Sequence, residues 1–179
     1  MRVWYALLSV PALVGAVEPA VAKDYLSAEQ AQKVLFPTAT AFQLVRIALN
    51  REQLAQIKAL AGVPQRSASP PVWRAVRDGK VVGWFIVDEV VGKHEFITYA
   101  AAISPDGVVQ GVEILTYRES RGGEVVNPKW RALFRGKRLS DPFKLNKDIP
   151  NISGATLSCR NLTDGVKRLL ALHKVALAS

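Results

Sequence analysis

A short run of small and hydroxyl-bearing residues, Ile152 to Cys159, stands directly before the clearest helical pattern in the chain. The pattern behind it is a stripe at three- and four-residue spacing, typical of an amphipathic helix, formed by Leu162, Val166, Leu169, Leu170, His173 and Leu177. Pro150 and Asn151 precede the run and do not suit a helix interior, so we expect Ser153 to be the N-cap.

The start of this helix has the properties of an anion site. The first backbone N–H groups of a helix lack internal partners, and the peptide dipoles add partial positive charge there, so a phosphate is favoured. Gly154 lets a ligand approach the backbone closely, and the hydroxyl of Thr156 lies within the first turn. Plain capping is the other interpretation, because most helices that begin at a serine bind nothing.

Residues 153–156 read Ser-Gly-Ala-Thr, which resembles the flavinylation motif of the FMN-binding domain family. That family includes one component of the sodium-translocating NADH:quinone reductase, one component of the Rnf complex and small exported flavoproteins. Its motif threonine carries FMN through a phosphoester bond, which an exported flavin transferase forms with FAD as donor. The resemblance implies that Thr156 is the attachment residue. It also implies cofactor contacts from the rest of the run: Ser153, Gly154, Ala155, Leu157 and Ser158.

A second segment follows a predicted strand and resembles the family's Glu-Thr-Pro-Gly-x-Gly loop, which packs near the flavin. Glu119 and Gly122 match this loop directly, Ser120 is close to its threonine, Arg121 replaces its proline and Glu124 its last glycine. The resemblance therefore implies further flavin contacts from the loop residues Arg118, Glu119, Ser120, Arg121 and Gly122. A cation at Arg118 or Arg121 would stabilise a reduced, anionic flavin, although solvent exposure at a strand end explains both arginines equally well.

The chain departs from the family at one position of the first motif. Many members have an acidic residue three positions before the serine, where this chain has Pro150. Asp148 lies two residues earlier and is the candidate to replace it. The likeness continues through Trp130, Phe134, and Gly136 with its following lysine, and it covers roughly residues 72 to 175.

The N-terminus is typical of a secretory signal. Arg2 precedes an uncharged apolar stretch from Val3 to Val17, and a small-residue cleavage site ends at Ala22. We therefore expect a signal peptide over residues 1–22 and a periplasmic or otherwise exported mature protein. An uncleaved anchor is the alternative, although the stretch is short of the roughly 20 residues that span a membrane.

Composition narrows the classes of site. Cys159 is the one cysteine, which excludes an internal disulfide and favours a buried core residue. The chain has two histidines, His94 and His173, and so small a number argues against a dedicated metal site. The net charge is +9, and basic residues are densest from Lys129 to Arg138. Export argues against a nucleic-acid partner, so this face either docks an acidic redox partner or an anionic membrane, or is simply solvated.

The order of elements predicts an α+β fold. Short helices begin at Ser27 and Asn50 in an N-terminal helical segment, residues 23–71. The expected FMN-binding domain, residues 72–179, opens with hairpins over 72–77, 80–87, 95–103 and 108–117, whose turns contain Asp78-Gly79 and Asp106-Gly107. A helix over 128–134 and the C-terminal helix follow. We therefore expect a single domain with a twisted antiparallel sheet packed with helices, and FMN at the start of the last helix.

These observations favour an exported flavoprotein that transfers electrons between extracytoplasmic or membrane redox partners, with no catalytic acid–base pair of its own. Its partners would be the flavin transferase, a membrane or periplasmic donor and an acceptor. Two alternatives remain open: a flavin-dependent reductase of a small acceptor, and a non-redox binding module that kept the fold and lost the flavin.

Overall fold

The computed structural model describes residues 23–119 and 123–178, so the predicted signal peptide and Ser120 to Gly122 lie outside the described residues. Six strands form one sheet: β1 (Lys23–Asp24), β2 (Ala41–Val45), β3 (Val72–Arg77), β4 (Lys80–Val91), β5 (Phe96–Ile103) and β6 (Val109–Tyr117). The helices are α1 (Ala28–Leu35), α2 (Arg51–Ala61), α3 (Pro128–Arg131) and α4 (Thr156–Ala176). Two 3-10 turns, Gly123–Val126 and Ala132–Phe134, flank α3.

The sheet is antiparallel throughout, in the spatial order β1-β6-β5-β4-β3-β2. The predicted hairpins from 72 to 117 are confirmed, and so is the α+β fold class. Asp78 and Gly79 both have positive φ, 51° and 74°, as the two-residue turn of a twisted hairpin requires. Strand β4 continues to Val91, four residues beyond its predicted end, because the acidic pair Asp88 and Glu89 interrupts the apolar pattern without ending the strand.

The N-terminal segment is more than helical. Its two helices are present, each closed by a capping box, at Ser27 for α1 and Asn50 for α2. The same segment also supplies both edge strands, which the sequence did not predict. Strand β1 has two residues, too few for a periodic signal, and β2 carries no alternation because it lies mostly exposed at the sheet edge.

Each face of the sheet covers a separate apolar cluster. The smaller cluster lies under α1 and contains Ala31, Phe36, Phe85, Ala100 and Leu115. The larger cluster lies under α4 and α2, and its fully buried members include Ile57, Ile86, Ile97, Leu162, Val166 and Leu169. The amphipathic stripe predicted for the last helix is therefore its buried face. Among the described helices, none combines the length and apolarity needed to cross a membrane.

A buried polar network fixes α4 to the sheet. Two nitrogens of Arg168 on α4, Nε and Nη2, donate to Asp88 Oδ2 on β4 at 3.2 and 2.5 Å, and Tyr99 Oη on β5 donates to the same oxygen at 3.0 Å. Arg168 is 5% exposed, Asp88 9% and Tyr99 not at all. Burial, and then the negative charge of Asp88, raise the pKa of Tyr99 well above its ordinary value. The phenol therefore stays a donor at physiological pH.

The helix also approaches the sheet closely at this network. A Cβ on Gly165 would stand 2.6 Å from Tyr99 Oη and 2.8 Å from Val90 Cγ1, so only glycine fits there. The remaining donors of Arg168 reach the carbonyl oxygens of Glu89 at 3.2 Å and Pro64 at 3.4 Å. One guanidinium thus connects the helix, the central strand and the loop after α2.

We expect Arg168→Met to reduce the free energy of unfolding by about 3–5 kcal/mol, because it leaves the buried Asp88 carboxylate without a cation. Urea unfolding followed by circular dichroism measures this loss. Arg138→Met is the matched control, since the Arg138–Asp106 pair has side chains 53% and 65% exposed and its removal should barely shift the midpoint. Equal losses in the two variants would contradict a dominant role for the buried network.

Candidate functional site

The Ser-Gly-Ala-Thr run forms a turn followed by the first residue of α4. The N–H of Ala155 donates to the carbonyl oxygen of Ile152 at 3.0 Å, which closes a β-turn, and Gly154 occupies its third position with φ +83°. Such a φ belongs to the left-handed region that favours glycine. The helix therefore begins at Thr156, and the prediction that Ser153 is its N-cap is wrong. The positive φ of Gly154 separates Ser153 from the helix.

The N-cap is instead Ala155, whose methyl group cannot accept a hydrogen bond. The first turn of α4 has no side-chain cap, whereas Ser27 and Asn50 cap α1 and α2 at 3.2 and 2.8 Å. Thr156 is exposed at this point. The positive end of the α4 dipole therefore lies at two exposed residues, Thr156 and Leu157, without a side-chain cap, which is the arrangement that suits a phosphate.

The hydroxyl of Thr156 is held by a neighbour that the sequence did not single out. Asn151 Nδ2 donates to Thr156 Oγ1 at 3.1 Å, and the backbone N–H of Asn151 donates to Asn146 Oδ1 at 3.4 Å. Asn151 Oδ1 is buried and has no hydrogen-bond partner among the described residues. The amide is thus fixed with its donor end toward the predicted attachment residue.

The predicted contact residues of the run divide between surface and core. Ser153, Gly154 and Thr156 are exposed, and the side chain of Leu157 is 44% exposed beside them. Two others face the interior: Ala155 is 3% exposed in the core, and Ser158 is buried. The Ser158 hydroxyl hydrogen-bonds Tyr117 at the end of β6. It therefore connects α4 to the sheet.

The approach to the run is a firmly tied loop. Asp148 accepts hydrogen bonds from the backbone N–H groups of Phe143 and Lys144 at 3.1 and 2.7 Å and from Lys137 Nζ at 2.9 Å. Burial acts to raise the pKa of Asp148, but Lys137 and the two N–H groups outweigh it and lower that pKa. Trp130 Nε1 donates to the carbonyl oxygen of Pro150 at 2.9 Å. The carboxylate of Asp148 thus stabilises the loop over residues 137–148, and its hydrogen bonds do not involve Thr156.

The second predicted segment begins with an anchoring carboxylate. Glu119 Oε1 accepts from the backbone N–H groups of His94 and Glu95, at 2.5 and 2.9 Å, in the turn between β4 and β5. A Cβ on Gly92 would stand 2.5 Å from the same oxygen. Burial acts to raise the pKa of Glu119, but the backbone hydrogen bonds from Glu95, His94 and Lys93 lower it overall. Arg118 is exposed next to it.

The structure brings both predicted segments to one end of the sheet. Asn161 Nδ2, in the second turn of α4, donates to the carbonyl oxygen of Val91 at 2.6 Å, at the end of β4. Ser158 reaches Tyr117, two residues before Glu119. The start of α4, the β4–β5 turn and the end of β6 therefore meet at this end, with Arg118, Leu157 and Thr156 at the surface.

The remaining candidates for chemistry belong to the core. No group of metal-ligating side chains occurs among residues 23–119 and 123–178. Cys159 is fully buried, and burial raises the pKa of its thiol. His173 is 3% exposed on the inner face of α4, and burial lowers its pKa. Both residues match the packing interpretation.

Comparison with known proteins shows which family the segment containing these residues matches. The model of the FMN-binding domain family matches residues 92–171, which contain the β4–β5 turn, Glu119 and the whole Ser-Gly-Ala-Thr run. These residues belong to the FMN-binding domain family. The predicted family and the predicted cofactor, FMN, are thereby confirmed. No curated protein matches the chain.

Two solved structures share the fold of this chain. NqrC of Shewanella oneidensis has 19% sequence identity and a TM-score of 0.52, over 77% of this chain and 81% of that one. A component of the Na⁺-translocating NADH-quinone reductase from Parabacteroides distasonis has 17% identity and a TM-score of 0.55, over 86% and 85% of the two chains. At these identities the likeness concerns the fold, and it extends to the N-terminal segment outside the family match.

Sequence reasoning missed the residues that position the site. From the sequence, Asn151 was expected only to be unsuited to a helix interior. The one hint of its contact with Thr156 was that it is a polar residue five positions before the threonine. Asp88 and Arg168 are 80 residues apart, so no local pattern joins them. The sequence did contain two signals: Asp88 interrupts the apolar run of a strand, and Arg168 lies between two apolar positions of a helix, Val166 and Leu169.

We expect Glu119→Gln to loosen the β4–β5 turn, because an amide oxygen accepts more weakly than a carboxylate. Hydrogen exchange should accelerate at the amides of His94 and Glu95. The wild-type turn should loosen in the same way at low pH, because the Glu119 carboxylate then gains a proton. The loosening should begin below about 4.3, the ordinary pKa of a glutamate, and grow as the pH falls through the lowered pKa of Glu119.

Glu95→Gln is the control for this prediction, since Glu95 is exposed in the same turn and contributes its backbone N–H rather than its carboxylate. Unchanged exchange at residue 94 in the Glu119 variant would show that the carboxylate does not hold the turn.

Proposed function

We propose that this protein is an exported electron-transfer flavoprotein that carries FMN on Thr156 through a phosphoester bond. The observation that carries the proposal is the exposed Thr156 at the start of α4, which has no side-chain cap. Thr156 lies within residues 92–171, which match the FMN-binding domain family. Bound FMN supplies one- and two-electron chemistry, while the protein supplies binding, orientation and electrostatics.

The residues of the chain have defined tasks in this proposal. The free N–H groups and dipole of α4 stabilise the negative charge of the phosphate, and Gly154, which has no side chain, leaves the backbone open to it. Leu157 offers an exposed apolar surface beside the attachment point. Arg118 is a fixed positive charge at the same end, which favours negative charge on a nearby ligand.

The partners follow from this assignment. A flavin transferase would install FMN from FAD, and a membrane or periplasmic donor and acceptor would exchange electrons with it. One of the two similar structures is, by its name, part of a Na⁺-translocating NADH-quinone reductase, which supports a membrane redox partner. Export rests on the signal-like residues 1–22, which precede the described part of the chain.

We expect the protein, exported from cells that contain a flavin transferase, to gain the mass of one FMN less one water. Thr156→Val, which keeps the shape and removes the hydroxyl, should show no gain. Thr98→Val is the matched control, because it removes a hydroxyl from the sheet, and it should gain the flavin fully. Intact-mass spectrometry, with the flavin absorbance of the denatured protein, measures all three.

An unmodified wild-type protein under these conditions would contradict covalent attachment. Flavin retained by the valine variant after denaturation would place the ester on another residue. Reduction and reoxidation of the loaded protein by membranes would then test the electron-transfer part, and the absence of both would favour a non-redox binding module.

A further inference from the structure

Among the described residues, one side chain addresses the hydroxyl of Thr156: Asn151, whose Nδ2 donates to Oγ1 at 3.1 Å. We propose that Asn151 is a positioning residue for flavinylation, which orients the Thr156 oxygen as the acceptor of the flavin phosphate and keeps its hydrogen bond to that oxygen in the ester. The inference rests on the proposed function, because it concerns how the phosphoester forms.

Hydrogen bonds hold the backbone around Asn151 from two sides, so its side-chain amide extends from a fixed backbone position. Trp130 Nε1 binds the carbonyl oxygen of Pro150, the preceding residue, at 2.9 Å. The N–H of Asn151 itself reaches Asn146 Oδ1 at 3.4 Å, in a loop that Asp148 ties together. A donor fixed in this way fixes the rotamer of the threonine that accepts from it.

The chemistry of esterification selects a donor at this position. Thr156 Oγ1 attacks the flavin-side phosphorus of FAD, a new O–P bond forms, the pyrophosphate P–O bond breaks, AMP leaves, and the hydroxyl proton passes to a base of the transferase or to water. Oγ1 has then lost its proton and can only accept. The Asn151 amide donates to the oxygen both before and after the reaction, whereas a carboxylate there could do neither.

Charge points the same way. The phosphoester is an anion, so an uncharged donor stabilises it and a carboxylate would repel it. The nearest acidic candidate along the chain, Asp148, is engaged by Lys137, Phe143 and Lys144. A neutral amide at 151 thus leaves the start of α4 without an adjacent negative charge from its own approach loop.

The oxygen end of the Asn151 side-chain amide adds no stability to the fold. Asn151 Oδ1 is buried without a partner in the described part of the chain. An unpaired buried oxygen costs free energy, so an apolar residue would serve the fold as well or better. The donor to Thr156 accounts for a polar group in this place.

The experiment measures the rate of flavin transfer to the purified mature protein by a flavin transferase with FAD, followed by intact mass. We expect Asn151→Ala to react about tenfold more slowly, the factor that loss of one well-formed hydrogen bond gives, with a Tm equal to or above that of the wild type. Asn151→Asp keeps the size and lacks the donor, and we expect it to be at least as slow. The ³¹P resonance of the loaded alanine variant should shift, because its ester oxygen has lost a donor.

Gln56→Ala is the matched control, since Gln56 also carries a side-chain amide donor but lies on α2 and donates to Glu52 rather than to Thr156. It should react within about twofold of the wild type, a margin well under the effect of one hydrogen bond. A wild-type rate in either Asn151 variant would overturn the inference while the proposed function stands. A wild-type protein that takes up no flavin would remove the proposed function itself, which is a separate outcome.

Discussion

The contact of Arg168 with Asp88 and Tyr99 is the constraint on which the rest of the molecule depends. A charged pair in a protein interior is costly unless its geometry and its remaining hydrogen bonds are good, and a pair that is only half formed is costlier still. This network joins one helix to two central strands, and Gly165 allows the backbone to come close enough for it to form. Few positions of α4 along the sheet can satisfy all of these conditions, so the network fixes the register between the two.

The register of α4 decides where its first residue stands. From Arg168 beside Asp88, the helix passes Asn161 beside Val91, so its start must lie beyond the end of β4. There it meets the turn that Glu119 holds and the end of β6 that Ser158 contacts. The site is thus assembled from three sheet-end segments that are distant in sequence, and a rigid element sets the place of each.

The four consecutive strands β3 to β6 could be predicted from the sequence, because they carry β-branched residues and are joined by turns with clear residue signatures. The end of β4 and the two edge strands, β1 and β2, could not. The helix starts at Ser27 and Asn50 were equally predictable, since the residues that form each capping box lie three positions apart in the sequence. The start of α4 was misplaced because a serine before a glycine resembles a cap. The backbone conformation that moves the helix start is a property of Gly154, and it depends on the turn that Ile152 and Ala155 close.

The contacts between distant segments could not be predicted in the same way. The role of Glu119 was read from the family motif as proximity to the flavin, and the structure shows that its carboxylate binds the backbone of another turn. Asn151 was visible only as a residue unsuited to a helix. In both cases the partner is a backbone group or a hydroxyl, whose availability depends on local conformation rather than on residue type.

The separation between the buried part of α4 and its exposed first residue has a consequence for biogenesis. The apolar stripe from Leu162 onward and the Arg168 network consist entirely of protein groups, and the hydrogen bond of Thr156 goes to Asn151 instead. On the proposed function, the contacts that hold the scaffold are therefore independent of the cofactor, and a modifying enzyme would meet a folded surface rather than an extended peptide. On the proposed function, recognition by the transferase would depend on the shape of the folded turn at 152–156, so a misfolded chain would remain unmodified.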